Sequence, residues 1–165
     1  MSLLEREPVK RVSDALATAG LTGRVVELEQ TAATAADAAK ALKVSQGAIV
    51  KSLVFMVGEQ AVMALVAGDK KCHEHELARI FNLSGDATRP NADKVLEITG
   101  FSIGGVAPVG LLSGPIPTAI DASLKRFSKV YAAAGHPNCV FETNVRELKK
   151  MTGGLVSYAL AVVSS

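Results

Sequence analysis

Lys51 is the first residue whose position an ordinary fold does not account for. The run Ile49 to Val57 is β-branched and apolar and reads as a strand. Alternation places Lys51 on one face with Ile49, Leu53, Phe55 and Val57, and Val50, Ser52, Val54 and Met56 on the other. A cation among apolar neighbours either snorkels to water along its own methylenes or serves as a phosphate or carbonyl ligand at the mouth of a pocket. Both readings stand. The second candidate is the segment Gly104-Gly105-Val106-Ala107-Pro108-Val109-Gly110. Glycines let backbone N–H groups approach a ligand as an anion nest or oxyanion hole, although glycine runs also make plain tight turns. The segment lacks the Gly-Lys-Ser/Thr ending of a P-loop and the spacing of a dinucleotide site, so a nucleoside triphosphatase is unsupported.

Three further groups carry titratable side chains. Cys72-His73-Glu74-His75-Glu76 contains thiol, imidazole and carboxylate, but its spacing fits neither HExxH nor a paired CxxC, and a helix would fan the two histidines apart. It reads as a polar helix entrance; a nucleophilic Cys72 with a histidine base is the competing chemistry, and it requires a lowered thiol pKa. Gly135-His136-Pro137 lies between two predicted strands, where glycine and proline serve a turn. His136 is either an exposed turn residue or a group that orients water toward the glycine segment. Asp121 reads foremost as a helix cap.

The elements that must position these residues form a mixed pattern. Helices are predicted over Pro8–Ala19, from a Thr34 cap to Leu42 on the surface, over Glu74–Phe81, over Ala92–Ile98 after an Asn91 cap, and over Asn144–Met151. Strands are predicted at Val25–Leu28, Ile49–Val57 and Ala61–Ala67 as a hairpin, Thr118–Ile120, Lys129–Ala133, Cys139–Phe141 and Leu155–Val163. Gly100 to Gly114 reads as a packed loop with short strand pieces. No βαβ rhythm repeats, so the expected fold is α/β in the mixed α+β sense: a curved, mostly antiparallel sheet surrounded by helices.

With 165 residues, 48% hydrophobic, the chain suits one domain over residues 1–165. Two cysteines without paired spacing fit a reducing cytoplasm. No segment resembles a secretion signal or a membrane span, so no membrane partner is expected. A net charge of +2 and scarce aromatics (five Phe, two Tyr, no Trp) exclude a protein that coats nucleic acid, and leave contact with an RNA end open.

Four blocks in order carry a resemblance: Ile49-Val-Lys-Ser-Leu-Val-Phe55, Gly68-Asp-Lys-Lys71, Gly100 to Gly110, and Pro117-Thr-Ala-Ile-Asp121. Over nearly the whole chain from about Val25 they resemble the YbaK / prolyl-tRNA synthetase-associated editing domains. The resemblance implies that fold, and hydrolysis of the ester joining a wrong amino acid to the terminal adenosine of a tRNA, usually tRNA for proline. It implies no cofactor, metal or nucleophilic side chain. Lys51 matches the family's strand lysine, thought to hold the 3′-terminal phosphate or ribose, and the glycine segment matches the loop that positions the aminoacyl carbonyl. The candidate catalytic groups are then Lys51, Gly104, Gly105 and His136. The candidate substrate contacts are Lys51, Ser52, Gly105, Val106, Pro108, Gly110, Asp121 and Gly135. The partners implied are the 3′ acceptor end of an aminoacyl-tRNA and prolyl-tRNA synthetase. The sequence departs from the family at Glu29-Gln30-Thr31, where some members carry a polar contact. The segment Ala134-Gly-His-Pro-Asn-Cys139 differs from the cysteine-specific branch and looks more like freestanding members that remove small residues such as alanine. The competing readings are a non-catalytic module that binds tRNA ends and a cysteine- or metal-dependent hydrolase built on Cys72, His73 and His75.

Overall fold

The structure is a computed structural model that describes residues 2–22, 24–30 and 32–164; Thr31, the last of the departing stretch noted above, lies outside them. In chain order the elements are α1 (Glu7–Thr18), β1 (Val25–Glu27), α2 (Ala35–Leu42), β2 (Ile49–Val57), β3 (Gln60–Ala67), β4 (Lys70–Cys72), α3 (Leu77–Phe81), β5 (Ala87–Thr88) and α4 (Ala92–Thr99). They are followed by β6 (Thr118–Asp121), β7 (Val130–His136), β8 (Cys139–Thr143), α5 (Val145–Thr152), β9 (Leu155–Ser157) and β10 (Ala161–Val163). Three of these five helices begin where a short polar side chain takes a free amide: Thr34 accepts from Asp37, Asn91 from Lys94 and Asn144 from Glu147.

The main sheet runs β1-β8-β7-β2-β3-β6-β9, with β5 paired to β2 off this path, and β4 with β10 makes a second small sheet. Among the described residues, four of the seven pairings in the main sheet are antiparallel; β2 with β7, β3 with β6, and β6 with β9 are parallel. β2 and β3 are covered on both faces, which is why they read as continuous apolar runs. Val50, Val54, Met63 and Leu65 face a core with Leu16, Phe101, Phe141 and Leu148. Phe55, Val57, Val62 and Val66 face a second core with Leu77 and Leu160.

Three local expectations are corrected. Gly100 to Gly114 contains no strand among the described residues; it is held by loop bonds such as Leu112 N–H to the Thr99 carbonyl at 3.0 Å. The final run is two strands, not one, because Tyr158 and Ala159 carry the chain from the main sheet to the small one. The second helix is not wholly superficial: Ala38 and Ala39 are buried against Ile49.

Candidate functional site

β2 shapes the site. On one edge it pairs with β3 from Val50 to Val57. On its other edge β7 pairs with Ile49 and Val50, and β5 with Met56 and Val57. The two short partners diverge, leaving the edge from Lys51 to Phe55 without a paired strand among the described residues. A cavity of about 290 Å³ fills that gap, and the six consecutive residues Ile49 to Val54 line it. A strand shows both of its side-chain faces to one cavity only along an open edge. The remaining wall comes from the start of α2 (Thr34, Ala35, Ala38), from Tyr131 and Ala133 of β7, from Arg89 and Pro90 after β5, and from Ile103, Gly104 and Val106.

Lys51 lies in this wall, half-buried. Its ammonium donates to the carbonyl of Lys70. Burial lowers its pKa, opposed by the nearby Cys72, Asp69 and Asp121. The turn carrying Lys70 is anchored by Asp69, whose two carboxylate oxygens accept from Arg126 at 2.9 and 2.8 Å; that guanidinium holds the Asp69 carboxyl below its ordinary range. Gly47 sits against this pair, where a Cβ would come within 2.9 Å of Asp69. Beside Lys51, the Ser52 hydroxyl is buried and has no hydrogen-bond partner among the described residues.

Gly104 and Val106 share the same cavity. Gly105 does not line it: its amide donates to the Ser102 carbonyl and its carbonyl accepts from Gly135, both at 3.0 Å. A Cβ at Gly105 would stand 2.8 Å from the His136 nitrogen, so the glycine bend and the Gly135-His136-Pro137 turn are docked backbone to backbone. Pro137 reaches the cavity. His136 Nδ1 accepts from the Asn138 amide at 3.0 Å, which puts the proton of the neutral ring on Nε2.

The other sequence candidates sit elsewhere. Pro108 and Gly110 border a separate cavity of about 270 Å³ between α1 and α5, and the Gly110 carbonyl accepts from Arg11 at 2.8 Å. Gly135 packs on the backbone of Pro8. Asp121 is buried, accepting from the amides of Ala67 at 3.0 Å and Ser123 at 2.8 Å. The structure thus brings together Lys51, Ser52, Gly104 and Val106. The Cys72 thiol is pushed up to about 12, chiefly by burial and then by Glu74; a protonated thiol is a poor nucleophile. No three His, Cys, Asp or Glu side chains cluster as metal ligands would among the described residues.

Several cavity residues carry no signal in the sequence. Tyr131 and the alanines of α2 belong to ordinary strand and helix patterns. Arg89 is an exposed cation before a proline, and its guanidinium lies 5.1 Å from the centre of the Phe55 ring.

Residues 29–151 match the family described as the aminoacyl-tRNA editing domain. This chain belongs to that family. An uncharacterized protein of Bacillus subtilis, YwhH, is 38% identical over 129 residues, 78% of this chain and 80% of its own. Proline–tRNA ligase of Lactobacillus gasseri is 42% identical over 73 residues, 44% of this chain and 13% of the ligase, so the match is to a small part of that enzyme. A solved structure described as a candidate trans-editing enzyme for prolyl tRNA synthetase is 36% identical with a TM-score of 0.87, covering 95% of this chain and 98% of that one. The editing-domain fold, with its curled sheet and surrounding helices, is therefore common to this chain and to that neighbour.

Proposed function

We propose that this editing domain acts in trans, as a freestanding deacylase that removes a small amino acid such as alanine from tRNA for proline. The observation that carries the reading is one cavity in which a half-buried lysine and the glycine bend share a wall with an open strand edge. The ammonium of Lys51 would hold the 3′-terminal phosphate or ribose of the tRNA. The backbone around the gap would orient the ester and receive the charge that develops on its carbonyl oxygen, a contribution worth roughly 10²–10³ in rate for one well-placed donor. Water adds to the carbonyl carbon, the bond to the ribose oxygen breaks, and the free amino acid and the tRNA hydroxyl leave. An activated ester needs orientation and charge stabilisation rather than a covalent nucleophile, and the protonated Cys72 offers none.

The preference for a small residue is supported by the Ala134 to Cys139 segment, and action in trans by the likeness to the structure described as a candidate trans-editing enzyme for prolyl tRNA synthetase. Prolyl-tRNA synthetase would then be the source of the mischarged tRNA, and the cytoplasm the place of action. The reading includes no metal, so activity should persist in chelator.

One observation favours a second reading, a module that binds tRNA ends without turnover: the amide of Gly105 is already spent on Ser102. A panel of mischarged tRNAs decides between them. The deacylase reading expects hydrolysis of alanyl-tRNA for proline well above buffer, the prolyl form spared, and loss of rate with Lys51→Ala. Tight binding with no turnover of any member would select the binding module.

A further inference from the structure

The unpaired stretch of β2 presents a defined set of polar atoms. In an antiparallel pair, both main-chain groups of a residue point to the same edge, and successive residues alternate. The Gly68 amide donates to the Ile49 carbonyl at 2.7 Å, which turns Ile49, and with it Lys51, Leu53 and Phe55, toward β3. Ser52 and Val54 therefore point their N–H and C=O groups the other way, into the gap where neither β7 nor β5 reaches. Buried main-chain groups left without partners are costly, and nearly all find one. The Ser52 hydroxyl is buried beside them, without a partner among the described residues. Lys51 and Arg89 are among the residues that line the cavity, and no carboxylate lines it among the described residues.

An amino acid esterified through its carboxyl group keeps one N–H donor set and one carbonyl acceptor on adjacent atoms. That is the pattern one strand residue shows to its neighbour. Resting on the deacylase reading of the same cavity, we propose that the aminoacyl group docks on this open edge as a strand one residue long. Its α-amine donates to a main-chain carbonyl, and its ester carbonyl accepts from the N–H of the same residue, Ser52 or Val54. This is strand addition reduced to a single residue. It supplies charge stabilisation at the ester carbonyl that does not depend on the amide of Gly105.

The test uses two non-hydrolysable amides of 3′-amino-3′-deoxyadenosine, one carrying L-alanyl and the other propionyl, which has the same carbon skeleton without the amine. Binding to the full chain is measured by calorimetry, and hydrogen exchange by NMR. The alanyl compound is expected to bind about tenfold tighter, the worth of one good hydrogen bond. The free protein should exchange the Ser52 and Val54 amides much faster than those of Leu53 and Phe55, and the alanyl compound should slow at least one of the two. Equal affinities, or binding that leaves both amides unchanged, overturns the proposal; failure of the alanyl compound to bind overturns it as well. Selective binding by a protein that hydrolyses no ester would sink the deacylase reading and leave the docked amine standing.

Discussion

Replacing Asp121 separates a residue that builds the site from one that would touch substrate. β3 pairs with β6 as far as Leu65 with Ile120, and the Met63 amide donates to the Pro117 carbonyl, so alternate amides of β3 point toward β6. The next amide in that series belongs to Ala67, which is fully buried and lies beyond the end of the pairing. The Asp121 carboxylate takes the place of the missing carbonyl, accepting from Ala67 with one oxygen while the other caps the turn at Ser123. Asp121→Ala leaves a buried N–H unpaired, at about 1–3 kcal/mol, and removes a cap worth about 1 kcal/mol. The combined loss of about 2–4 kcal/mol corresponds to a fall in Tm of roughly 5–15 °C for a chain of this size. Asp121→Asn keeps one acceptor and should lose about half as much. Urea unfolding gives the stabilities, and deacylation per folded molecule at 20 °C gives the activity. The expected result is a large loss of stability with kcat/KM of the Asn protein within about threefold of the parent. A melting temperature unchanged in both variants, with activity gone, would refute the argument and make Asp121 a substrate contact.

Other substitutions probe the remaining claims. Lys51→Met should lower kcat/KM by about 10–100-fold, the range of a charge-assisted hydrogen bond, without loss of Tm. In the parent protein, activity that needs the ammonium should fall at a pH below the 10.5 usual for lysine, because burial lowers this pKa. The same shift means the unfolded chain binds more protons in that window, so parent stability rises with pH there, and Lys51→Met should abolish the rise. Cys72→Ala should leave deacylation intact at pH 7, where a thiol of pKa about 12 is thiolate in roughly one molecule in 10⁵; loss of activity would restore the cysteine hydrolase. Glu147 accepts from Arg24, which holds its carboxyl below the 4.5 usual for glutamate. The stability it adds is present above that value and drains away as the pH falls through the lowered pKa, so Glu147→Gln should cost most near neutrality and least in acid, as read by unfolding at several pH values.

The parts of the fold that could be read in advance share a local cause. Thr34, Asn91 and Asn144 cap helices because their oxygens lie a fixed few residues from the amides they take. The hairpin of β2 and β3 was visible because burial on both faces leaves an unbroken apolar run. β4 and β5 were not, since Lys70-Lys71-Cys72 and Ala87-Thr88 owe their strand character to distant partners, β10 and the far end of β2. The site divides in the same way. Lys51 stood out as a cation in an apolar strand, and Gly104 as part of a bend. Tyr131, Arg89 and Pro137 reach the cavity only because β5 and β7 part company, a fact of pairing over long sequence distances.

That division also explains why Asp121, His136 and Cys72 do not line the gap. Asp121 completes a ladder, the His136 Nδ1 closes its own turn, and Cys72 is half-buried with its thiol pKa pushed up. What the gap offers is main chain: an edge of β2 with no strand beside it among the described residues and a bend whose amide at Gly105 is bonded to Ser102. Main-chain groups are present in every sequence and mark no motif, but their direction is fixed by the sheet to a precision that flexible side chains do not match. An ester that hydrolyses once oriented asks for little more. Selectivity must then come from the walls that limit what can lie along the edge, namely the first turn of α2, Tyr131 and the Arg89-Pro90 segment. Substitutions there should change which amino acid is removed while leaving the stability of the sheet untouched, whereas substitutions that let β5 or β7 close over Ser52 and Val54 should abolish binding of every substrate alike.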